Sequence, residues 1–376
     1  MVLKVVVTCV VVLGVVVTPV ITSEDPISQP RDWPCPDAND FYPCLCIYDE
    51  LDHTLSIDCS LVETNEELAQ AFENVVFPFT YLKEFKLEQD ANPNVSLDTV
   101  GLNTFQDLTF ERIIISGTKI EIIFEEDFYG SHETLTYLNL QNNKIKHFPF
   151  ISVQLYPSLQ TLILDDNQIP SLPEIQSDSL EILSINGNGG IQLDDFLGPP
   201  ALQEIYLARN QIELLQVNFF WNLQNLTLVD LQRNEISILD EYTIASQSNA
   251  LASINLDHNK ISSIRHDAFH GLLPDAVVSM RNNTVVELDE DSWSHLFTQL
   301  VPTGTLDLAD NPLNCGCDMD WIMFSPNQID LRIFPDTTTC SSGNQIVDLD
   351  VQFFCDRCLP NNCSTLYPAG NVPQRT

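Results

Sequence analysis

The string from His266 to His270, HDAFH, places two imidazoles four residues apart, the spacing at which one helix face can offer both to a zinc ion. The glutamate that would serve such a helix as general base is absent. Phe269 also falls where the chain elsewhere sets a buried aromatic, so both histidines are expected on a solvated loop. Gly187 to Gly190 contain three glycines after a strand-like segment, but neither the lysine nor the helix start of a phosphate-binding loop follows them. They read as the inside of a tight turn. There is no G-x-S-x-G elbow and no calcium-loop spacing. A cysteine–histidine nucleophile is not expected either, because the cysteines gather at the two ends of the chain. The residues therefore predict no catalytic centre, no cofactor and no metal site.

Eleven cysteines are present. Cys9 lies in an opening valine-rich run that follows Lys4 and ends near Val20, and residues 1–23 read as a secretory signal peptide. The run is shorter than the ~20 residues a membrane helix needs. The C-terminal residues YPAGNVPQRT lack the hydrophobic tail of a lipid-anchor signal. Expectation is thus a soluble, extracellular chain without a membrane anchor. The other cysteines are Cys35, Cys44, Cys46 and Cys59 near the start and Cys315, Cys317, Cys340, Cys355, Cys358 and Cys363 near the end. An even number split between the ends of an exported chain predicts disulfides that staple terminal modules. By spacing alone, the first four allow three pairings. Asn94, Asn225, Asn282 and Asn362 open N-x-[ST] sequons and are candidate glycan sites. With a formal charge of −37, the chain would repel nucleic acid and heparin-like polymers. A basic partner or screening cations would be tolerated.

The elements that carry these residues repeat. LTYLNLQNNKI from Leu135 recurs as LQTLILDDNQI from Leu159, LEILSINGNGG from Leu180, LQEIYLARNQI from Leu202, LTLVDLQRNEI from Leu226 and LASINLDHNKI from Leu251. More degenerate copies begin at Leu82, Phe110, Asp275 and Thr303, which makes ten units. Their ninth-place residues Asn143, Asn167, Asn188, Asn210, Asn234, Asn259, Asn283 and Asn311 stand 21 to 28 residues apart. Within each unit, apolar places four and six alternate with outward places three, five and seven, the pattern of a short strand with one buried face. Leaving a buried turn amide or carbonyl unpaired costs roughly 1–3 kcal/mol, and an asparagine side chain can satisfy one of each. Asp90 and Thr118 take the ninth place in the two early copies, whose coils are expected to be looser. Leu215, Leu239, Ile264 and Leu288, with Phe128, Phe220, Phe269 and Trp293, are expected to fill the convex side.

The unit resembles the leucine-rich repeat, L-x-x-L-x-L-x-x-N-x-L. That resemblance implies an α/β solenoid, a horseshoe with a concave parallel sheet and disulfide-stapled N- and C-terminal caps. The implied bridges are Cys35–Cys46 and Cys44–Cys59 in the first cap and Cys315–Cys340 and Cys317–Cys355 in the second, where Trp321 would be the packing aromatic. Cys358 and Cys363 would close a small loop of their own or reach another chain. After Cys59, Thr64 and Glu67 have the spacing of a capping box for a short helix. The expected organisation is signal 1–23, linker 24–34, cap 35–81, repeats 82–313, cap 314–355 and tail 356–376.

On such a concave face, Tyr137, Ile163, Ile182, Tyr206 and Leu228 would form a contiguous apolar strip, one residue per coil, suited to a protein partner. Arg209, Arg233 and His258 stack at the eighth place; the two arginines are candidates for a partner's carboxylates, or the three pair internally with Glu204, Asp230 and Asp257. The opening CPDANDFYPCLCIYDE with IDCS, and the repeat NLQNNKIKHFPF, are similar to the family of the leucine-rich-repeat non-catalytic subunit of the Oplophorus luciferin monooxygenase. That resemblance implies a secreted, non-catalytic companion of a separate enzyme subunit. The expected function is a secreted protein-binding scaffold, with a matrix structural protein or an innate-immune pattern binder as the alternatives.

Overall fold

The computed structural model describes residues 33–73, 75–90, 95–100, 104–193, 196–324 and 331–358. The signal, most of the linker, Asn94, Asn362 and Cys363 lie outside these residues. Strands β1 (Leu45–Asp49) and β2 (Thr54–Asp58) form an antiparallel hairpin. There follow β3 (Tyr81–Glu88), β4 (Thr109–Ser116), β5 (Tyr137–Asn139), β6 (Thr161–Ile163), β7 (Ile182–Ser184), β8 (Glu204–Tyr206), β9 (Leu228–Asp230), β10 (Leu251–Asn255), β11 (Leu272–Ser279) and β12 (Thr305–Asp307). All twelve belong to one sheet in chain order, and every pair after the hairpin is parallel. Each coil therefore docks on the one before it, as the leucine-rich-repeat solenoid requires.

Sequence alternation produces this stack directly. Phe85, Ile113, Leu138, Leu162, Leu183, Ile205, Val229, Ile254, Val278 and Leu306 align across neighbouring strands and are all buried. Each such side chain contributes roughly 1.5–3 kcal/mol on leaving water. Leu215, Leu239, Ile264, Leu288, Phe128, Phe220, Phe269 and Trp293 are likewise buried, in the part of each coil that returns behind the sheet.

The ninth-place amides are buried and bridge consecutive coils. Asn167 donates Nδ2 to Leu140 O at 2.9 Å in the coil before and to Leu164 O at 3.1 Å in its own, while its Oδ1 accepts from Ile145 N at 3.0 Å. Asn259 repeats the set with Leu231 O, Leu256 O and Ile236 N. Thr118 is only 2% exposed and ties its coil to Asn143 Oδ1 through its own amide, at 2.9 Å, and its hydroxyl. In the first coil the bridging group is the buried amide of Gln89 and not the carboxylate of Asp90, which the spacing puts at the ninth place. Gln89 Nε2 donates to Ser60 O and Val62 O, while Asp90 is exposed and accepts from Ser116 Oγ. One extra methylene lets a glutamine one residue earlier reach the groups an asparagine would have satisfied.

The eighth-place residues share a second regularity. Asn142, Asp166, Gly187, Arg209, Arg233, His258, Asn282 and Asp310 all have φ between 52° and 67°, in the left-handed region. Seven of the eight are not glycine, and for an arginine this conformation costs about 1–2 kcal/mol. What holds it is the next coil: Arg209 N donates to Gln232 O at 3.0 Å and Arg233 N to Asp257 O at 2.7 Å.

Helices α1 (Ala38–Phe41) and α2 (Asn65–Glu73) complete the first cap. Thr64 Oγ1 accepts from Glu67 N at 3.1 Å, but the Glu67 carboxylate reaches back to Glu63 N, one residue short of the Thr64 amide of a capping box. Cys35–Cys46 and Cys44–Cys59 are bonded, as the resemblance implied. After α3 (Glu290–Leu300), the second cap contains α4 (Asp320–Met323) and α5 (Val351–Cys358). Trp321 Nε1 donates to Leu288 O at 2.6 Å, and its ring meets Phe297 edge-on at 5.1 Å. Cys315 bonds Cys340, but Cys317 bonds Cys358 and not Cys355. Cys355 is itself disulfide-bonded and fully buried. Residues three apart on a helix share a face, so either sulfur could approach Cys317, and the seating of α5 decides which does. Cys358 thus belongs to the cap and not to a separate tail loop.

Candidate binding face

The outward residues of the strands lie in two registers. One runs Glu84, Arg112, Tyr137, Thr161, Ile182, Glu204, Leu228, Ser253, Val277 and Thr305. The other runs Lys86, Ile114, Asn139, Ile163, Ser184, Tyr206, Asp230, Asn255, Ser279 and Asp307. The five apolar residues expected as a contiguous strip from the third and fifth places of their units alternate accordingly: Tyr137, Ile182 and Leu228 in the first register, Ile163 and Tyr206 in the second. They make a zigzag of diagonal neighbours roughly 7–8 Å apart, with polar side chains between them. All five are half-buried.

Charged neighbours hold the two tyrosines in place. The Arg112 guanidinium lies 3.8 Å from the centre of the Tyr137 ring and pairs with Glu84 at 3.1 Å. Tyr206 donates its hydroxyl to Glu204 at 2.7 Å, and burial, then the Glu204 contact, pushes its pKa up to about 12. The Asp230 pKa is raised by burial, against hydrogen bonds from Gln232 that lower it. This face is pre-organised, with its tyrosines already anchored by charged neighbours.

At the eighth place the expected internal partners change. Arg209 makes a two-pronged pair with Asp166, two coils earlier, at 2.7 and 3.0 Å. Glu204 is occupied by Tyr206. Arg233 and His258 form no ion pair with Asp230 or Asp257 among the described residues. Gln232 holds Asp230, and Ser279 Oγ with Arg281 N holds Asp257. Arg233 is exposed. The glycines Gly187 to Gly190 serve this same edge. A Cβ on Gly187 would lie 2.2 Å from Asp166 Oδ1 and 3.1 Å from Arg209 Nη1, so the glycine leaves room for the pair.

The two histidines of HDAFH do not converge. His266 Nδ1 lies 3.0 Å from Asp267 Oδ2, and His295 from α3 stands 2.8 Å from the other carboxylate oxygen, its ring stacked on His266 at 5.6 Å. His270 is half-buried near Trp221. His295 escaped the sequence reading because nothing local links it to residue 267. Of the sequon residues, Asn225 and Asn282 are exposed. Asn225 Nδ2 donates to Pro200 O at 2.9 Å, and Asn282 Nδ2 reaches Asp310 at 3.4 Å.

The sequence reading also missed the most exposed apolar residues of this face, which lie at its ends. Leu45 and Ile47 on β1 are 48% and 52% exposed, and Val277 on β11 is 44% exposed. Alternation within LCIYD was the available signal. No described helix is long and apolar enough to cross a membrane.

No protein-family model matches the chain. It is 29% identical over 329 residues to the Oplophorus-luciferin 2-monooxygenase non-catalytic subunit of Oplophorus gracilirostris, covering 86% of this chain and 88% of that one. It is 26% identical over 193 residues to osteomodulin of Bos taurus, covering 50% of this chain and 39% of that one. With opticin of Mus musculus the identity is 31% over 146 residues, 36% of this chain and 43% of that one. Among solved structures, it is similar to a chain in an octameric complex of Latrophilin 3, Unc5D and FLRT2 (LRR), with a TM-score of 0.58 and 18% identity, covering 76% and 86% of the two chains. The chain is a leucine-rich-repeat protein that resembles the first of these relatives along most of its length.

Proposed function

We propose that this leucine-rich-repeat chain is a secreted, non-catalytic scaffold that holds a protein partner against the open face of its sheet, as one subunit of a complex. The observation that carries the reading is the half-exposed zigzag of Tyr137, Ile163, Ile182, Tyr206 and Leu228 on five consecutive coils, with Arg209 and Arg233 along one edge. Aromatic and aliphatic side chains at the centre of an open surface are what protein interfaces use as anchors. Anchors that are already immobilised lose less entropy on binding. Its relative from Oplophorus is by name a non-catalytic subunit, which supports a companion role here. Four disulfides among the described residues favour an oxidising compartment.

The test is purification from the native secretion, identification of the stoichiometric companion by mass spectrometry, and titration of that companion with the double variant Tyr206→Ala, Leu228→Ala. Binding should weaken by at least roughly tenfold, the size of 1.4 kcal/mol, while the melting temperature moves by only a few degrees. Unchanged affinity would place the interface elsewhere. Turnover of substrate by the chain alone would contradict the non-catalytic role.

A further inference from the structure

A second surface lies at the first cap, away from the middle coils. Among the described residues, β1 is the terminal strand of the sheet and pairs with β2 on one side only. Beside it is a pocket of about 330 Å³ walled by Trp33, Phe41, Leu45, Tyr48 and the Cys35–Cys46 disulfide, with Glu50 at its rim. Phe41 is 1% exposed and forms the floor, whereas Trp33 is 69% exposed. Such a volume is at the lower end of the range that takes a small ligand or one large side chain. Leu45 and Ile47 add an apolar edge on the open side of the sheet, opposite Asp58 and Ser56 of β2.

Charge selects the occupant. From Trp33 to Leu82 the chain has ten acidic residues and no lysine or arginine. Glu50 lines the pocket without a cationic partner among the described residues, while Lys83 is engaged by Asp52 at 3.3 Å. Pairing β1 with β1 of a second copy would bring two such acidic caps together, which electrostatics opposes. A basic segment meets no such barrier.

We propose that the outer edge of β1 docks an extended, lysine- or arginine-bearing peptide segment of a partner protein, which adds as a further strand and seats one apolar side chain in the Trp33–Phe41–Tyr48 pocket. Main-chain hydrogen bonds to this strand edge, unpaired among the described residues, supply affinity, and the pocket with Glu50 supplies selectivity. This surface does not depend on the zigzag in the middle coils.

The experiment titrates the full mature chain with a labelled octapeptide, Lys-Lys-Val-Tyr-Val-Val-Lys-Lys, by fluorescence anisotropy at moderate salt. The comparisons are the same peptide N-methylated at alternate residues and a version with glutamate for lysine. Saturable binding is expected, lowered by roughly tenfold or more on N-methylation and in the exposed-site variant Trp33→Ala, and absent for the glutamate peptide. Equal binding of the N-methylated peptide would mean attraction by charge alone and overturn the strand-addition model. So would unchanged binding by Trp33→Ala, or no binding of the parent peptide. Sedimentation of the chain alone as a dimer that Ile47→Lys dissociates would assign the edge to a second copy instead.

Discussion

Asp166 and Arg209 are 43 residues apart in sequence and meet at 2.7 and 3.0 Å over the bare Cα of Gly187. The coil between them has neither a side chain in the way nor a charge of its own at that place. Three successive eighth-place residues, all at positive φ, thus form a single unit along one edge of the sheet.

Gly187→Ala should break that unit. The new methyl strains a backbone at φ +67° and forces the Asp166 carboxylate aside. A loss of about 1–2 kcal/mol is expected from the backbone, and up to ~1 kcal/mol from the exposed ion pair. A denaturant titration checks this. In the Gly187→Ala background, Arg209→Ala should cost almost nothing further; a full additional loss would mean the pair survives the methyl.

Asn210→Ala removes an amide that is 0% exposed. Its Nδ2 donates to Ile185 O at 2.9 Å and its Oδ1 accepts from Asn188 N at 2.8 Å, so a carbonyl and an N–H of the neighbouring coil lose their partner together. At roughly 1–3 kcal/mol each, the loss should be about 2–6 kcal/mol. Urea unfolding monitored by circular dichroism measures it, and a change below about 1 kcal/mol would contradict the ladder.

Alkaline pH should weaken the fold through tyrosines with raised pKa values, Tyr156 and Tyr206 above all. The Tyr156 hydroxyl is pushed up to about 12 by burial and then by the charges of Asp127 and Glu125, and Tyr206 is pushed up to about 12 by burial and Glu204. Both pKa values are raised above the ordinary 10.0, so the neutral phenol is favoured in the folded chain. Their contribution is complete below pH 10 and is lost as pH rises through about 12. Unfolding free energies between pH 9 and pH 12 should fall, and the double variant Tyr156→Phe, Tyr206→Phe should flatten that slope. Tyrosinate absorbance of the native chain should show Tyr156 and Tyr206 titrating late, with Tyr81 also raised, by burial and its bond to Glu111.

Non-reducing peptide mapping should recover Cys317 joined to Cys358, and Cys315 to Cys340. Cys355→Ser should leave both links in place. Recovery of Cys317 with Cys355 in the wild-type chain would reverse the assignment made from the seating of α5.

Within a coil, sequence reading succeeds because each relevant neighbour is a few residues away. Leu140, Asn143 and Ile145 can be assigned to core, ladder and core from spacing alone, since a strand alternates and a buried turn needs an amide. The reading slipped by one residue at Asp90, where Gln89 does the bonding, because the longer side chain reaches the same carbonyls from a different backbone position. Contacts between coils were less legible. Glu204 is nearer Arg209 in sequence than Asp166 is, yet Glu204 accepts from Tyr206 and Asp166 receives the guanidinium.

The amino-acid sequence by itself therefore determined the coil: its period, its buried leucines, its asparagine column and the presence of two cystine-stapled ends, all set by local backbone demands. Tertiary structure alone decided that Arg209 spans two coils, that Cys317 meets Cys358, and that a strand edge unpaired among the described residues stands beside an aromatic pocket at the first cap. These depend on how one coil is placed upon the next and how α5 is seated. Packing of many side chains at once sets those positions, and no short stretch of residues encodes them.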